Sequence, residues 1–315
     1  MQKKTVRWVL AHEPIELFLR AARHFKAELE RTAPDQIEFE ILTLSEYSNK
    51  YNNGVAVSKH DLLDLMEAGE IEMSQMYTST LGRSHSRDMW ALDMPFLFRD
   101  HDHAKKVLEG DIGAGLLNDL SEKTNVKGLA FTYSGGFRMI PANVALKKIE
   151  DFNGVPLRCN KSPIATETLL AVGAEPVEIE LEEINEGVQS GIVVGGESTY
   201  PRFYGLEQNK HMSYINDAEH SLFLTSIIVN KDFFNSLDAD LQAKVQDASF
   251  NAARQERVWS VEDIDVVKAR AAEDTIQVVT MSQSERARWK QATEYLYDKF
   301  EDMFKPGLVK AIQAS

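Results

Sequence analysis

Arg158 closes the segment Gly154-Val155-Pro156-Leu157-Arg158, where a short apolar run reads as a buried strand ending in a permanent positive charge. An arginine in that position must meet an anion or face a cleft, because a buried unpaired charge is costly. Its planar fork of donors suits a carboxylate better than any other side chain does. A structural ion pair and an organic-acid site are both open readings. About forty residues on comes a second punctuated segment, Gly191-Ile192-Val193-Val194-Gly195-Gly196-Glu197-Ser198. Glu197, a carboxylate that would hold nearby arginines in place, could also accept a ligand hydroxyl or ammonium.

Other polar residues stand at predicted strand ends. His12 and Glu13 follow the first strand, where they would bind hydroxyls or a cation, or else cap the helix starting at Ile15. Tyr77 and Thr78 end another strand and are further ligand candidates. Tyr200, Arg202 and Tyr204 follow Glu197 on a predicted loop, and Tyr200 is taken as a contact. His101-Asp102-His103 has the composition of a metal cluster. Its two histidines stand apart on a helix with no third ligand, so no metal site is expected. Cys159, the only cysteine, leaves no internal disulfide or cysteine cage, and with no histidine nearby in sequence it is not read as a nucleophile. No G-x-S-x-G, G-x-x-x-x-G-K or H-E-x-x-H occurs, and neither a catalytic residue nor a cofactor is expected.

These residues are positioned by a strand–helix rhythm. Strands are predicted at 5–11, 37–43, 71–76, 127–133, 138–140, 155–158, 177–179 and 192–194, and helices at 15–32, 61–68, 111–123, 164–172 and 181–190. The alternation argues for α/β sheets with mostly parallel pairing, whose ligands sit at the carboxyl ends of strands. The stretch 240–273 holds neither proline nor glycine and reads as one long helix, or as two helices broken without a signal.

At 315 residues the chain has room for two domains, and 27% charged with 43% hydrophobic residues is a globular composition. The net charge of -14 argues against nucleic acid and requires an anionic ligand to be captured locally. No stretch approaches the roughly 18 apolar residues of a membrane span. Nor does Met1-Gln2-Lys3-Lys4 lead into a signal peptide, because the apolar stretch that follows is short and interrupted.

Several segments in order resemble the solute-binding receptors of TRAP (tripartite ATP-independent periplasmic) transporters, the family of dicarboxylate and sialic acid receptors. They are Gly69-Glu70-Ile71-Glu72-Met73, Leu92-Asp93-Met94-Pro95-Phe96-Leu97-Phe98, Glu150-Asp151-Phe152-Asn153-Gly154-Val155-Pro156-Leu157-Arg158, Gly173-Ala174-Glu175-Pro176 and 189–197. The resemblance implies a two-domain α/β periplasmic binding protein fold with an interdomain cleft and a long domain-spanning helix. The expected division is 1–134 with 224–260, and 135–223 with 261–315. It implies that Arg158 pairs with a ligand carboxylate, that Arg138 is the second family arginine, and that Ser198 stands where many members bind ligand through asparagine. His220 matches a family histidine, with a structural role equally open. Val194, Leu181 and His12-Glu13 depart from the family pattern and put the rest of the pocket in doubt. The expected function is a monomeric periplasmic receptor, its export signal removed, that closes on a small organic acid (a sugar acid or dicarboxylate) and delivers it to TRAP membrane subunits. The alternative is an α/β enzyme acting on a small carboxylic acid, and a third possibility is a ligand-sensing extracytoplasmic domain.

Overall fold

Val6, Trp8, Val9 and Leu10 carry the first strand into the core, the first of eleven strands among the described residues. A computed structural model describes residues 3–315, so the expectation attached to Met1-Gln2 lies outside the described residues. In chain order the strands are β1 (Lys4–Leu10), β2 (Ile37–Thr43), β3 (Met73–Tyr77), β4 (Val126–Phe137), β5 (Ile140–Ala142), β6 (Pro156–Cys159), β7 (Glu175–Glu178), β8 (Gly195–Gly196), β9 (Tyr214–Asp217), β10 (Leu222–Asn230) and β11 (Gln277–Thr280). They form a five-stranded sheet, β2-β1-β3-β10-β4, and a six-stranded sheet, β11-β9-β5-β8-β6-β7.

The chain divides into two compact α/β units. The first runs to Ser86 and includes Val107–Tyr133 and Leu224–Val258. Its β1 pairs in parallel with β2 and β3, and β10 runs antiparallel to β3. The helix Ile15–Thr32 lays Leu17, Phe18, Ala21, Ala22, Phe25 and Leu29 on this sheet, an i, i+3, i+4 stripe. Trp8 meets Phe25 at 5.3 Å between ring centroids. The short helix Leu44–Tyr51 begins with a capping box made by Thr43 and Glu46, a signal that was present in the sequence.

The second unit comprises Arg87–Lys106, Ser134–Phe223 and Trp259–Ser315. The segment Arg87–Lys106 thus sorts with later residues rather than with the chain before it. Its ties are local to that unit: Tyr297 donates to the Pro95 carbonyl at 2.7 Å, and His103 Nε2 lies 2.8 Å from the Ile312 carbonyl. β6 is parallel to β7 and β8, whereas β5 is antiparallel to both β8 and β9, so the sheets are mixed rather than mostly parallel. One core cluster holds Ile140, Phe152, Leu157, Cys159, Leu169 and Trp289; another holds Met139, Ile184, Phe203, Met212 and Ile215.

The long helix is a single element, Ala239–Glu273, of 35 residues. It gives Leu241, Val245, Ala248 and Ala252 to the core of the first unit and Val267 and Ala271 to that of the second. Three local expectations shift. Residues 192–194 are not a strand, because Gly191, at φ +75°, turns the chain so that the Ile192 and Val193 N–H groups bond back to the Gly187 carbonyl. The strand begins instead at Gly195. In place of a strand at 138–140, Met139 makes an isolated bridge to Ser198 and β5 starts at Ile140. Residues 200–205 form a short helix, Tyr200–Gly205, with Pro201 in its first turn, not a loop.

Candidate functional site

β6 is flanked in parallel by β7 and β8, and the register sets Arg158 opposite Val177 and Gly196. A Cβ on Gly196 would stand 2.5 Å from the Arg158 Cβ, so only glycine admits the arginine strand this closely. Arg158 is 5% exposed; its Nε donates to the Ile179 carbonyl at 2.9 Å and its Nη1 to the Glu197 carbonyl at 3.4 Å. Two neutral acceptors thus aim the guanidinium without cancelling its charge. Among the described residues no acidic side chain lies within ion-pair distance of Arg158 or Arg138.

Arg138 is 2% exposed and its backbone is fixed on both sides, the N–H donating to the Ser221 carbonyl and the carbonyl accepting from the Glu219 N–H. Its guanidinium carbon lies 3.8 Å from the centroid of the Phe223 ring, and Nη1 has no hydrogen-bond partner among the described residues. Arg202, fully buried, faces the same ring at 5.1 Å and donates through Nη2 to the Ser134 hydroxyl at 2.6 Å.

Glu197 is the acid of this set. His220 Nε2 donates to its Oε1 at 2.7 Å, and the imidazole stacks on Trp289 with centroids 4.9 Å apart and an interplanar angle of 11°. Oε2 has no partner among the described residues. Burial pushes the Glu197 carboxyl up, but the Arg138 charge, the His220 hydrogen bond and the Arg158 charge outweigh it and hold the group at about 2. Burial likewise pulls the Arg158 guanidinium below its ordinary value, Glu197 opposes this, and Arg138 adds to it. Asp93, 7% exposed with no partner for Oδ2 among the described residues, is raised to about 7 by burial, which outweighs the lowering by Arg138, and Glu197 raises it further. Behind Arg158 the buried Cys159 thiol is pushed up to about 12, chiefly by burial.

Of the sequence candidates, the second unit therefore gathers Arg138, Arg158 and Glu197. Ser198 follows Glu197 and is fully buried in its backbone bridge to Met139, its hydroxyl without a hydrogen-bond partner among the described residues. Tyr200 packs in the apolar cluster with Met139 and Phe203, where the Lys268 ammonium approaches its ring at 4.9 Å. Burial and Asp217 push the Tyr200 phenol far above its ordinary value.

The remaining candidates lie in the first unit. His12 is buried, its Nε2 3.1 Å from the Met76 sulfur and its ring 4.0 Å from that of Tyr77, which is half-buried. Glu13 accepts the Ile15 N–H, the first of the helix Ile15–Thr32, at 3.0 Å, while the N-cap position itself is Pro14. The buried Thr78 hydroxyl donates to the Leu224 carbonyl at 3.2 Å. Asp93, Phe223 and Trp289 were not singled out from the sequence. Asp93 gave a signal of the same kind as Arg158, a charge inside the apolar run from Leu92 to Phe98; the two aromatic rings gave none.

Arg158 and Arg138 are thus buried in the second unit with no acidic side chain at ion-pair distance among the described residues, and the fold is shared with solved solute-binding proteins. It superposes on a TRAP periplasmic solute-binding protein from Ochrobactrum anthropi with TM-score 0.87 at 22% identity, covering 99% of this chain and 94% of that one. A second such protein, from Pseudomonas putida F1 with bound D-glucuronate, gives TM-score 0.84 at 20% identity over 99% and 97%. The C4-dicarboxylate-binding periplasmic protein DctP of Rhodobacter capsulatus is 24% identical over 281 residues, 86% of this chain and 84% of the relative. The chain belongs to the bacterial extracellular solute-binding proteins, family 7, whose sequence profile matches residues 12–303. That membership makes it an extracellular solute-binding protein and sets aside the α/β-enzyme alternative.

Proposed function

We propose that this chain is the periplasmic receptor of a TRAP transporter, that it binds a uronate or dicarboxylate through Arg158 and Arg138, and that it passes the acid to the membrane subunits. The observation that carries the reading is the state of Arg158: buried, anchored on two backbone carbonyls and facing no acidic side chain at ion-pair distance. A ligand carboxylate supplies the missing counter-charge, and donors fixed in advance bind it at a lower entropic cost. Glu197, held by His220, keeps the arginines oriented and bounds the net positive charge; Ser198 fixes the strand beside it. The relatives named above for a C4-dicarboxylate and for bound D-glucuronate support the two ligand classes.

Isothermal titration against a panel of uronates and C4-dicarboxylates, followed by recovery of the acid, tests this. Saturable binding with the acid returned unchanged is expected. Arg158→Ala weakens that binding by about 2–5 kcal/mol, the range for truncating one side of a buried charge pair, while the melting temperature does not fall. Unaltered affinity would place the carboxylate elsewhere.

A further inference from the structure

Asp93 is a carboxyl that the proposed function leaves unused. It ends the short 3-10 helix Arg87–Asp93 among apolar neighbours, with Ala91, Leu92 and Met94 all buried. The segment just beyond it is pinned. Phe96, at φ +55°, holds a backbone conformation that residues with side chains rarely adopt, and its N–H donates to the His220 carbonyl at 2.7 Å. On either side of His220, the Ser221 carbonyl accepts the Arg138 N–H at 2.8 Å and the Glu219 N–H donates to the Arg138 carbonyl at 3.0 Å. The His220 imidazole in turn holds Glu197. One stretch, 219–221, ties the Asp93 segment, Arg138 and Glu197 into a single buried cluster within the second unit.

The other charged groups around Asp93 are engaged elsewhere. On its own helix, Arg87 is exposed and Asp88 accepts the Lys305 N–H at 2.7 Å. Of the helices packed against it, Pro163–Leu170 carries Glu167, paired with Lys299, and Leu308–Ala314 carries Lys310, paired with Glu301. Burial is the largest influence and sets the Asp93 carboxyl at about 7; Arg138 opposes it and Glu197 adds to it. Charge balance then decides what the cluster can hold. Arg138 and Arg158 bring two positive charges and Glu197 one negative, so a bound carboxylate closes the count to zero. An ionised Asp93 leaves a net negative charge out of water, which is costly, whereas a protonated Asp93 leaves none.

We infer that Asp93 is a proton-binding site coupled to the acid site, so that the receptor takes up a proton from solvent as it takes up an organic acid and gives both back together. This rests on the carboxylate site proposed above. The proton adds to an Asp93 carboxylate oxygen, turning the carboxylate into a carboxylic acid, and returns to water when the ligand leaves. The coupling is reciprocal: a bound acid raises the affinity of Asp93 for its proton by the factor that the proton raises the affinity for the acid. Well below neutral pH the group is already protonated in the free receptor and binding moves no proton. Above neutrality each binding event draws one in, and affinity falls as pH rises.

The test is titration calorimetry on the intact chain with D-glucuronate and fumarate, both fully ionised at neutral pH, each run in phosphate and in Tris. The two buffers release a proton at different enthalpies, so the difference in measured heat counts the protons taken up. Whichever acid binds is expected to bring in about half a proton at about pH 7.5. Its affinity is expected to fall roughly tenfold between about pH 6 and about pH 8.5. Asp93→Asn, a neutral side chain of the same shape, exchanges no proton and holds one affinity across that range. The wild-type count needs no variant, so it decides the matter even where Asp93→Asn does not fold. Binding without proton uptake in the wild type overturns the inference and leaves the carboxylate site standing. Uptake that persists in Asp93→Asn overturns it too, by placing the proton on another group such as His220. If neither acid binds, the proposed function falls and this inference with it.

Discussion

Asp93 carries a buried carboxyl group whose Oδ2 has no partner among the described residues, and burial raises it to about 7 despite the opposing charge of Arg138. In the unfolded chain an aspartate ionises near pH 4. Between about pH 4 and pH 7 the folded state therefore keeps a proton that the unfolded state has released, and stability falls as pH rises through that window. Glu197 acts the other way: held at about 2, it contributes stability that is present above the ordinary carboxylate range and lost as pH drops toward 2. Asp93→Asn removes the first effect alone. It is expected to raise stability by a few kcal/mol at pH 8 and to leave it unchanged at pH 4, as read from melts at both values. It should also tighten binding of a carboxylate at pH 8, because an ionised Asp93 competes for Arg138. A melting temperature at pH 8 no higher than that of the wild type would show that the carboxyl is not held out of water. Arg158 was legible in the sequence because a charge ending an apolar run needs an explanation.

At the scale of elements, β8 is two glycines wide and depends on being so. A Cβ on Gly195 would meet Ala142 Cα at 2.6 Å, and one on Gly196 would meet both the Cβ and the carbonyl oxygen of Arg158 at 2.5 Å. Both obstacles are backbone or strand-borne, so they cannot step aside cheaply. Gly196→Ala is expected to cost about 1–3 kcal/mol of stability and to weaken acid binding by displacing Arg158. Gly191→Ala, where nothing stands within 4 Å but φ is +75°, should cost stability and leave affinity in place. Chemical denaturation and titration of the two variants separate close approach from backbone conformation; loss of binding in both would remove that distinction. The glycine pair was readable as punctuation. Its strand was placed too early because the apolar run Ile192-Val193-Val194 imitates a core strand, whereas Ile192 is 57% exposed on the turn that ends the helix before it. Helices 15–32 and 111–123 were legible to the residue, since their apolar stripes are long and their ends well marked.

The whole molecule carries a net charge of -14, so on the proposed function its far field opposes the anion that its site would receive. Raising the ionic strength screens the repulsive field more than the buried contact. The association rate for an anionic acid is therefore expected to increase between low and physiological salt, measured by stopped-flow fluorescence; a decrease would show that the local arginines dominate at long range. Charge and length were plain from the sequence, and the unbroken helix Ala239–Glu273 followed from the absence of helix breakers. The return of Arg87–Lys106 to later residues was not legible, because it depends on contacts such as that of Tyr297 with Pro95, far apart in the chain.

The only sulfhydryl, at Cys159, lies in the core with its thiol held at about 12. At neutral pH it is neither ionised nor reachable by a reagent. The native protein is thus already a silent background for site-directed labelling. A cysteine placed on any exposed surface position would take up a maleimide dye or a nitroxide by itself, and a pair would report distances in the free and loaded receptor without Cys159 having to be removed.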